Sequence, residues 1–149
     1  MVNNDKYLSM SGLEFMQAMF AGSIPFPPIA DTMPLRGVSV ERGHIIFSAE
    51  ADDRHTNMFG SVHGGFGATI MDSVTGCAVV TTLEAGLSCV TIELHVNMIH
   101  MIPLHTKLLA EGRVIQLTHS LGVAEANIKD QQDKLYTHAT ATCMILRKH

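Results

Sequence analysis

The sequence predicts one α+β domain, an antiparallel sheet curved around a single long buried helix. Two observations carry that expectation. From Phe66 to Leu83 nearly every residue is apolar or small, enough for about five helical turns with no polar face to give to water. Strand-like segments flank this run, two before it and four after, separated by turn residues. Strands that follow one another directly form antiparallel sheets, and such a sheet buries its apolar face against the helix. The 149 residues suit one domain. It divides into an N-terminal helix with a proline-rich loop over 1–34 and a core over 35–146.

Ser11, Gly12, Leu13 and Glu14 make a capping-box pattern, and Leu13, Phe15, Met16, Met19 and Phe20 follow at helical spacing, with Gly22 as the stop. Four of the five prolines (Pro25, Pro27, Pro28 and Pro34) fall within 23–35, which predicts an extended loop. Val38 to Ala51 reads as two strands turning at Arg42-Gly43, and 52–63 is rich in turn formers. After the long helix, Cys89 to Met98 alternates. Val90, Ile92, Leu94, Val96 and Met98 fall on one face, and Thr91, Glu93, His95 and Asn97 on the other. Leu108 to Leu117, Leu121 to Lys129 and Leu135 to Leu146 complete the strands, with a polar turn at Asp130 to Asp133. A sheet wrapped around one helix is the hotdog arrangement.

Hydrophobic residues make up 46% of the chain and charged ones 16%. That is too apolar for disorder, and it suggests more buried surface than a lone monomer needs, so a homo-oligomer is expected. The net charge of −4 and the lack of a basic run argue against nucleic acid, whose phosphates need clustered Lys and Arg. No apolar stretch is long enough to cross a bilayer. Met1 to Tyr7 is polar rather than a signal-peptide core, so a cytoplasmic protein without a membrane partner is expected. Nine His are present without a His-x-x-x-His or Cys-x-x-Cys pair, so no metal or cofactor is expected. Cys77, Cys89 and Cys143 are widely spaced and read as buried reduced thiols.

The chemistry concentrates between 54 and 91. Gly64-Gly65 stands at the start of the long helix, where unpaired N–H groups and the positive dipole end meet. Glycines let a ligand approach that backbone, and a carbonyl held there would have its developing oxyanion stabilised. The same pair also serves as a simple tight turn. Asp72 is the only Asp, Glu, Lys or Arg between Arg54 and Glu84. A carboxylate in so apolar a segment needs partners, and such groups gather at functional sites, where Asp acts as general base or nucleophile. A structural hydrogen bond to a neighbouring strand or subunit is the other reading. In the preceding loop, Asn57 can fix a water or the substrate carbonyl, and His63 can orient the loop by side-chain hydrogen bonds or be purely structural. Thr91 can position a water, although strict alternation turns it away from the helix. Gly64 and Asp72 are eight residues apart, about 12 Å along one helix. If both act on one carbonyl, they come from different subunits, which predicts a dimer with two symmetry-related sites.

The run His55-Thr56-Asn57-Met58-Phe59-Gly60-Ser61-Val62-His63-Gly64-Gly65, followed by Asp72, resembles the signature of the hotdog-fold acyl-CoA thioesterases of the phenylacetate-degradation (PaaI-like) type. The resemblance continues through Thr91-Ile-Glu-Leu-His-Val-Asn97, Ala110-Glu-Gly-Arg-Val114, Ala124-Glu-Ala126 and Tyr136-Thr-His-Ala-Thr-Ala-Thr-Cys143, and covers roughly 35–146. It implies hydrolysis of an aryl- or medium-chain acyl-CoA, the Gly64 amide polarising the carbonyl and Asp72 of the neighbouring subunit acting as nucleophile or base. Asn57 and His63 would shape the oxyanion side, Thr91 would hold the water, and Gly65, His119 and Ser120 would contact substrate. A homodimer or homotetramer is implied. Two positions depart from the family pattern. His100-Met101 stands where relatives carry Arg-Pro, and His119-Ser120 where they often carry Arg or Lys. Cationic anchors for CoA phosphates are thus sparser, which leaves room for an acyl-carrier-protein thioester. A non-catalytic thioester-binding protein on the same fold is the alternative. A dehydratase is disfavoured because no His-x-x-x-Pro-Gly pattern is present.

Overall fold

Ser11 starts the first helix, α1 (Gly12–Phe20), by reciprocal capping. Its hydroxyl accepts from the Glu14 N–H, and the Glu14 carboxylate accepts from the Ser11 N–H at 2.8 Å. The computed structural model describes residues 9–147, so the polar stretch Met1 to Tyr7 lies outside it. The proline-rich loop is less extended than expected. One helical turn, α2 (Ile29–Thr32), forms after Pro28, whose ring fixes a helical φ. Strand β1 (Leu35–Glu41) then begins ahead of the expected Val38.

The chain turns at Gly43, where φ is 76°, into β2 (His44–Ala49). A 3-10 turn at Asp53–His55 leads to α3 (Gly64–Val80). β3 (Leu87–Met98), β4 (Leu108–Leu117), β5 (Leu121–Lys129) and β6 (Leu135–Arg147) follow. The six strands form one antiparallel sheet in the order β1-β2-β4-β5-β6-β3. The hotdog expectation is met, for α3 contacts β2, β3, β4, β5 and β6. No helix among the described residues is long and apolar enough to cross a membrane.

Phe66, Ile70, Met71, Val74 and Ala78 recur at helical spacing and are buried against the sheet. Phe15, Met16 and Met19 of α1 cover a second side of α3. The helix is not covered all round. A stripe of small residues (Gly65, Ala68, Thr69 and Gly76) is only half-buried, and Asp72 within it is exposed. The expectation of a buried Asp72 is corrected for the single chain, since the apolar neighbours that suggested burial point elsewhere on the helix.

β3 breaks its own alternation. A register shift against β6 between Thr91 and Glu93 makes Ile92 an extra, bulged residue. Thr91 and Cys89 therefore share the helix-facing side with Leu94 and Val96, while Val90 and Ile92 are exposed. The bulge reverses the face that strict alternation gave Thr91.

β4 approaches α3 closely at Gly112. A Cβ there would lie 2.7 Å from Val74 Cγ1 and 2.8 Å from the Val74 carbonyl oxygen. Gly112→Ala is expected to destabilise the fold by about 1–3 kcal/mol through overpacking. The measurement is urea unfolding, with a lower midpoint at unchanged slope; an unchanged midpoint contradicts this contact.

Candidate active site at the start of the central helix

The loop before α3 is held by its own polar side chains. Asp52 caps the 3-10 turn, accepting from the Arg54 N–H at 3.0 Å. The Arg54 guanidinium beside it holds the Asp52 carboxyl well below the usual carboxylate range. His55 is buried, and its Nδ1 accepts from the Asp52 N–H at 3.0 Å. Its Nε2 donates to the Thr32 carbonyl at 2.7 Å, and its ring centroid lies 4.8 Å from that of Phe66. The loop is thereby fixed to both α2 and α3. Asn57 folds the tip on itself. Its Oδ1 accepts from the N–H groups of Phe59 (2.9 Å) and Ser61 (3.3 Å), and its side-chain amide nitrogen makes no hydrogen bond among the described residues.

His63 caps α3, its Nδ1 accepting from the Gly65 N–H at 2.8 Å. Gly65 is thus already paired. The Gly64 N–H makes no hydrogen bond among the described residues, and it stands at the positive end of a 17-residue helix. It borders a cleft of about 290 Å³ lined by Val62, Gly64, Gly67, Met98, Ile102 and Thr137, among others. A Cβ on Gly64 would meet Met98 Sδ at 2.7 Å, so the bare backbone is what keeps this approach open.

Asp72 and Thr91 form a second group. Thr91 Oγ1 lies 4.0 Å from where a Cβ on Gly76 would sit, one helical turn after Asp72, and 3.8 Å from Cys143 Sγ. The Asp72 charge is felt by Cys77, Cys89 and Cys143, so the three thiols that looked scattered in sequence converge here. Burial pushes the Cys77 thiol up to about 12, which removes it as a nucleophile. The neighbouring Cys89 thiol, with the Thr91 hydroxyl, lowers Cys143 to about 7, and the same Cys143 neighbour raises Cys89.

His119 and Ser120 form a third group, in a cleft of about 400 Å³ beyond the C-terminal end of α3. Arg42 and Arg147 also line it. The structure thus gathers His63, Gly64 and Gly65 at the helix start, after the loop that Asn57 orders, places Thr91 against α3 one turn after Asp72, and leaves His119 and Ser120 in a separate cleft within one chain. His55, Arg42 and Arg147 were missed from the sequence. His55 carried only the signal of its place in the quoted motif, and the two arginines lie far apart along the chain.

A model of the thioesterase superfamily matches residues 59–137. The chain belongs to the thioesterase superfamily. The matched stretch holds His63, Gly64, Gly65, Asp72, Thr91, His119 and Ser120. Acyl-coenzyme A thioesterase 13 of Mus musculus is 23% identical over 79% of this chain and 81% of its own. Among solved structures, a phenylacetic acid degradation-related protein of Ralstonia eutropha has 29% identity and a TM-score of 0.79, over 87% of this chain and 98% of that one. A Streptococcus mutans protein bound to acetyl-CoA has 28% identity and a TM-score of 0.71, over 77% of this chain and 90% of that one.

A thioesterase has to stabilise the oxyanion that forms as the carbonyl is attacked, and it has to supply an attacking oxygen. The first group offers a fixed N–H donor and the second a carboxylate with a hydroxyl nearby. The cap that frees the donor is testable. His63→Ala should lower stability by about 1 kcal/mol, and His63→Asn, which retains a capping acceptor, should recover most of it. Thermal unfolding of the three proteins reads this; equal midpoints contradict the capping role.

Proposed function

We propose that this thioesterase hydrolyses an aryl- or medium-chain acyl-CoA to the free acid and CoA, at sites shared between subunits. The observation that carries this reading is the unpaired Gly64 N–H at the helix start, open to a cleft. The thioester carbonyl accepts from it, and the bond strengthens as negative charge develops. The Asp72 carboxylate either takes a proton from the attacking water or attacks the carbonyl itself. By the first route, the tetrahedral intermediate expels the CoA thiolate, which recovers the proton. By the second, the tetrahedral intermediate expels the CoA thiolate to leave a mixed anhydride on Asp72, which water then opens to the free acid. Thr91 holds the water, and Asn57 and His63 shape the oxyanion side.

Sharing follows from reach. Gly64 and Asp72 lie about 12 Å apart along α3, so one carbonyl takes its donor from one subunit and its carboxylate from the other. The uncovered stripe around Asp72 supports this arrangement, as does β3, a 12-residue edge strand with no partner on its outer side among the described residues. Pairing Gly64 with the partner's Asp72 places the two-fold axis near Ala68. The C-terminal end of the partner's α3 then lies about 12 Å past Gly64. That brings the cleft with the partner's His119 and Ser120, and the partner's Arg42 and Arg147, toward the phosphate end of a bound CoA. The cations thought sparse from sequence are supplied there. Exposed Val90, Ile92, Met144 and Leu146 on the outer sheet face support a second contact and a homotetramer. Free Cys77, Cys89 and Cys143 accord with a reducing, cytoplasmic setting.

Free-thiol release from a panel of acyl-CoAs tests the reading. Asp72→Asn should lower turnover by about 10²–10⁴-fold while the unfolding midpoint holds. Undiminished turnover would remove Asp72 from the chemistry. Binding of CoA esters without turnover in the native protein would favour a non-catalytic binding role.

A further inference from the structure

The cleft beside Gly64 has a polar floor that hydrolysis does not use. Thr137, at the start of β6, is 1% exposed, and its hydroxyl makes no hydrogen bond among the described residues. A buried hydroxyl without a partner is costly, and such a group in a native fold calls for a ligand or water. No side-chain oxygen or nitrogen among the described residues is both fully sealed and unpaired. The small exposed part of Thr137 therefore includes its oxygen, which opens into the cleft it lines.

The path from the Gly64 amide to this hydroxyl runs along the helix. Gly67 is the next residue of α3 on the cleft, about 4.5 Å further along the axis. A Cβ on Gly67 would touch Thr137 Oγ1 and Ile102 Cδ1, each at 3.3 Å. The missing side chains at 64 and 67 keep the passage open between amide and hydroxyl. The walls are otherwise largely apolar, formed by Val62, Met98, Ile99, Met101 and Ile102. The two histidines on the cleft each commit Nδ1 elsewhere, His63 to the Gly65 N–H and His100 to the Leu135 carbonyl. The cleft's volume of about 290 Å³ exceeds the ~150 Å³ of an apolar protein cavity that holds benzene, so a six-carbon group fits.

We infer that this cleft is the acyl pocket and that Thr137 is its specificity-determining residue. Its hydroxyl pairs with an oxygen carried a few bonds past the thioester carbonyl. Acyl groups with a hydroxyl or oxo group on the third carbon are then preferred over plain hydrocarbon chains, because only they satisfy the buried hydroxyl. The inference rests on Gly64 as the carbonyl's donor.

The test compares kcat/KM for 3-hydroxyhexanoyl-CoA and hexanoyl-CoA in the native protein, Thr137→Val and Thr137→Ser. The native protein should favour the hydroxy ester. Thr137→Val should lower the ratio of the two values about three- to tenfold, and Thr137→Ser, which keeps the hydroxyl, should restore it. An unchanged ratio in Thr137→Val overturns the inference, whether both esters suffer alike or neither does. If the native protein turned over neither ester, the hydrolase reading of the site would fail separately. The same ratio is then read from the two dissociation constants, where equality between native protein and Thr137→Val overturns the role of Thr137 as well.

Discussion

One unpaired N–H organises this molecule. A helix start leaves several backbone donors without partners, and water or side chains normally satisfy them. Here His63 takes the Gly65 N–H at 2.8 Å and leaves that of Gly64 open. The selection depends on the backbone before it. His63 has an extended conformation, with φ −65° and ψ 137°, and its own N–H donates to the His55 carbonyl. His55 is in turn buried against Phe66 and tied to Thr32. The loop at 52–63, irregular in outline, is over-determined by hydrogen bonds, so the donor is fixed before a substrate arrives. Fixed donors of this kind need no reorganisation as charge develops.

The proposed sharing of the site rests on the same helix. Its buried side packs closely on the sheet, to the point that Gly112 of β4 leaves no room for a Cβ beside Val74. Its other flank is covered by α1. What remains is a stripe of small residues with one carboxylate, too far along the axis to serve the Gly64 amide of its own chain. An exposed Asp on a stripe of small residues, beside an open sheet edge, suits a surface completed by a second copy.

The architecture was legible because the core speaks in periodic patterns. The apolar run of α3, the turn at Arg42-Gly43 and the capping box at Ser11 all rest on local chemistry that a sequence carries openly. α3 begins at Gly64, as the Gly64-Gly65 pair indicated, and His63 caps it there. The misplacements have non-local causes. Thr91 faces the helix because β3 bulges at Ile92, which only its pairing with β6 reveals. Asp72 is exposed because composition tells which residues are apolar and not what covers them. Of the site, the Asn57 to Gly65 cluster was legible as a motif. Arg42, Arg147 and Thr137 were not, since the fold alone brings each to its cleft.

The central claim is that donor and carboxylate come from different subunits, and subunit mixing tests it most directly. Gly64→Pro deletes the N–H at the first helical position, where proline is tolerated; the extended His63 before it accommodates the ring, and the flexible end of Met98, 2.7 Å from the added Cβ, has to swing aside. Co-expressed with Asp72→Asn chains, it forms hybrid dimers in which one of the two sites keeps both groups. Each variant alone should be nearly inactive, and the random mixture should regain about a quarter of native turnover. A mixture as inactive as its two components would contradict the shared site.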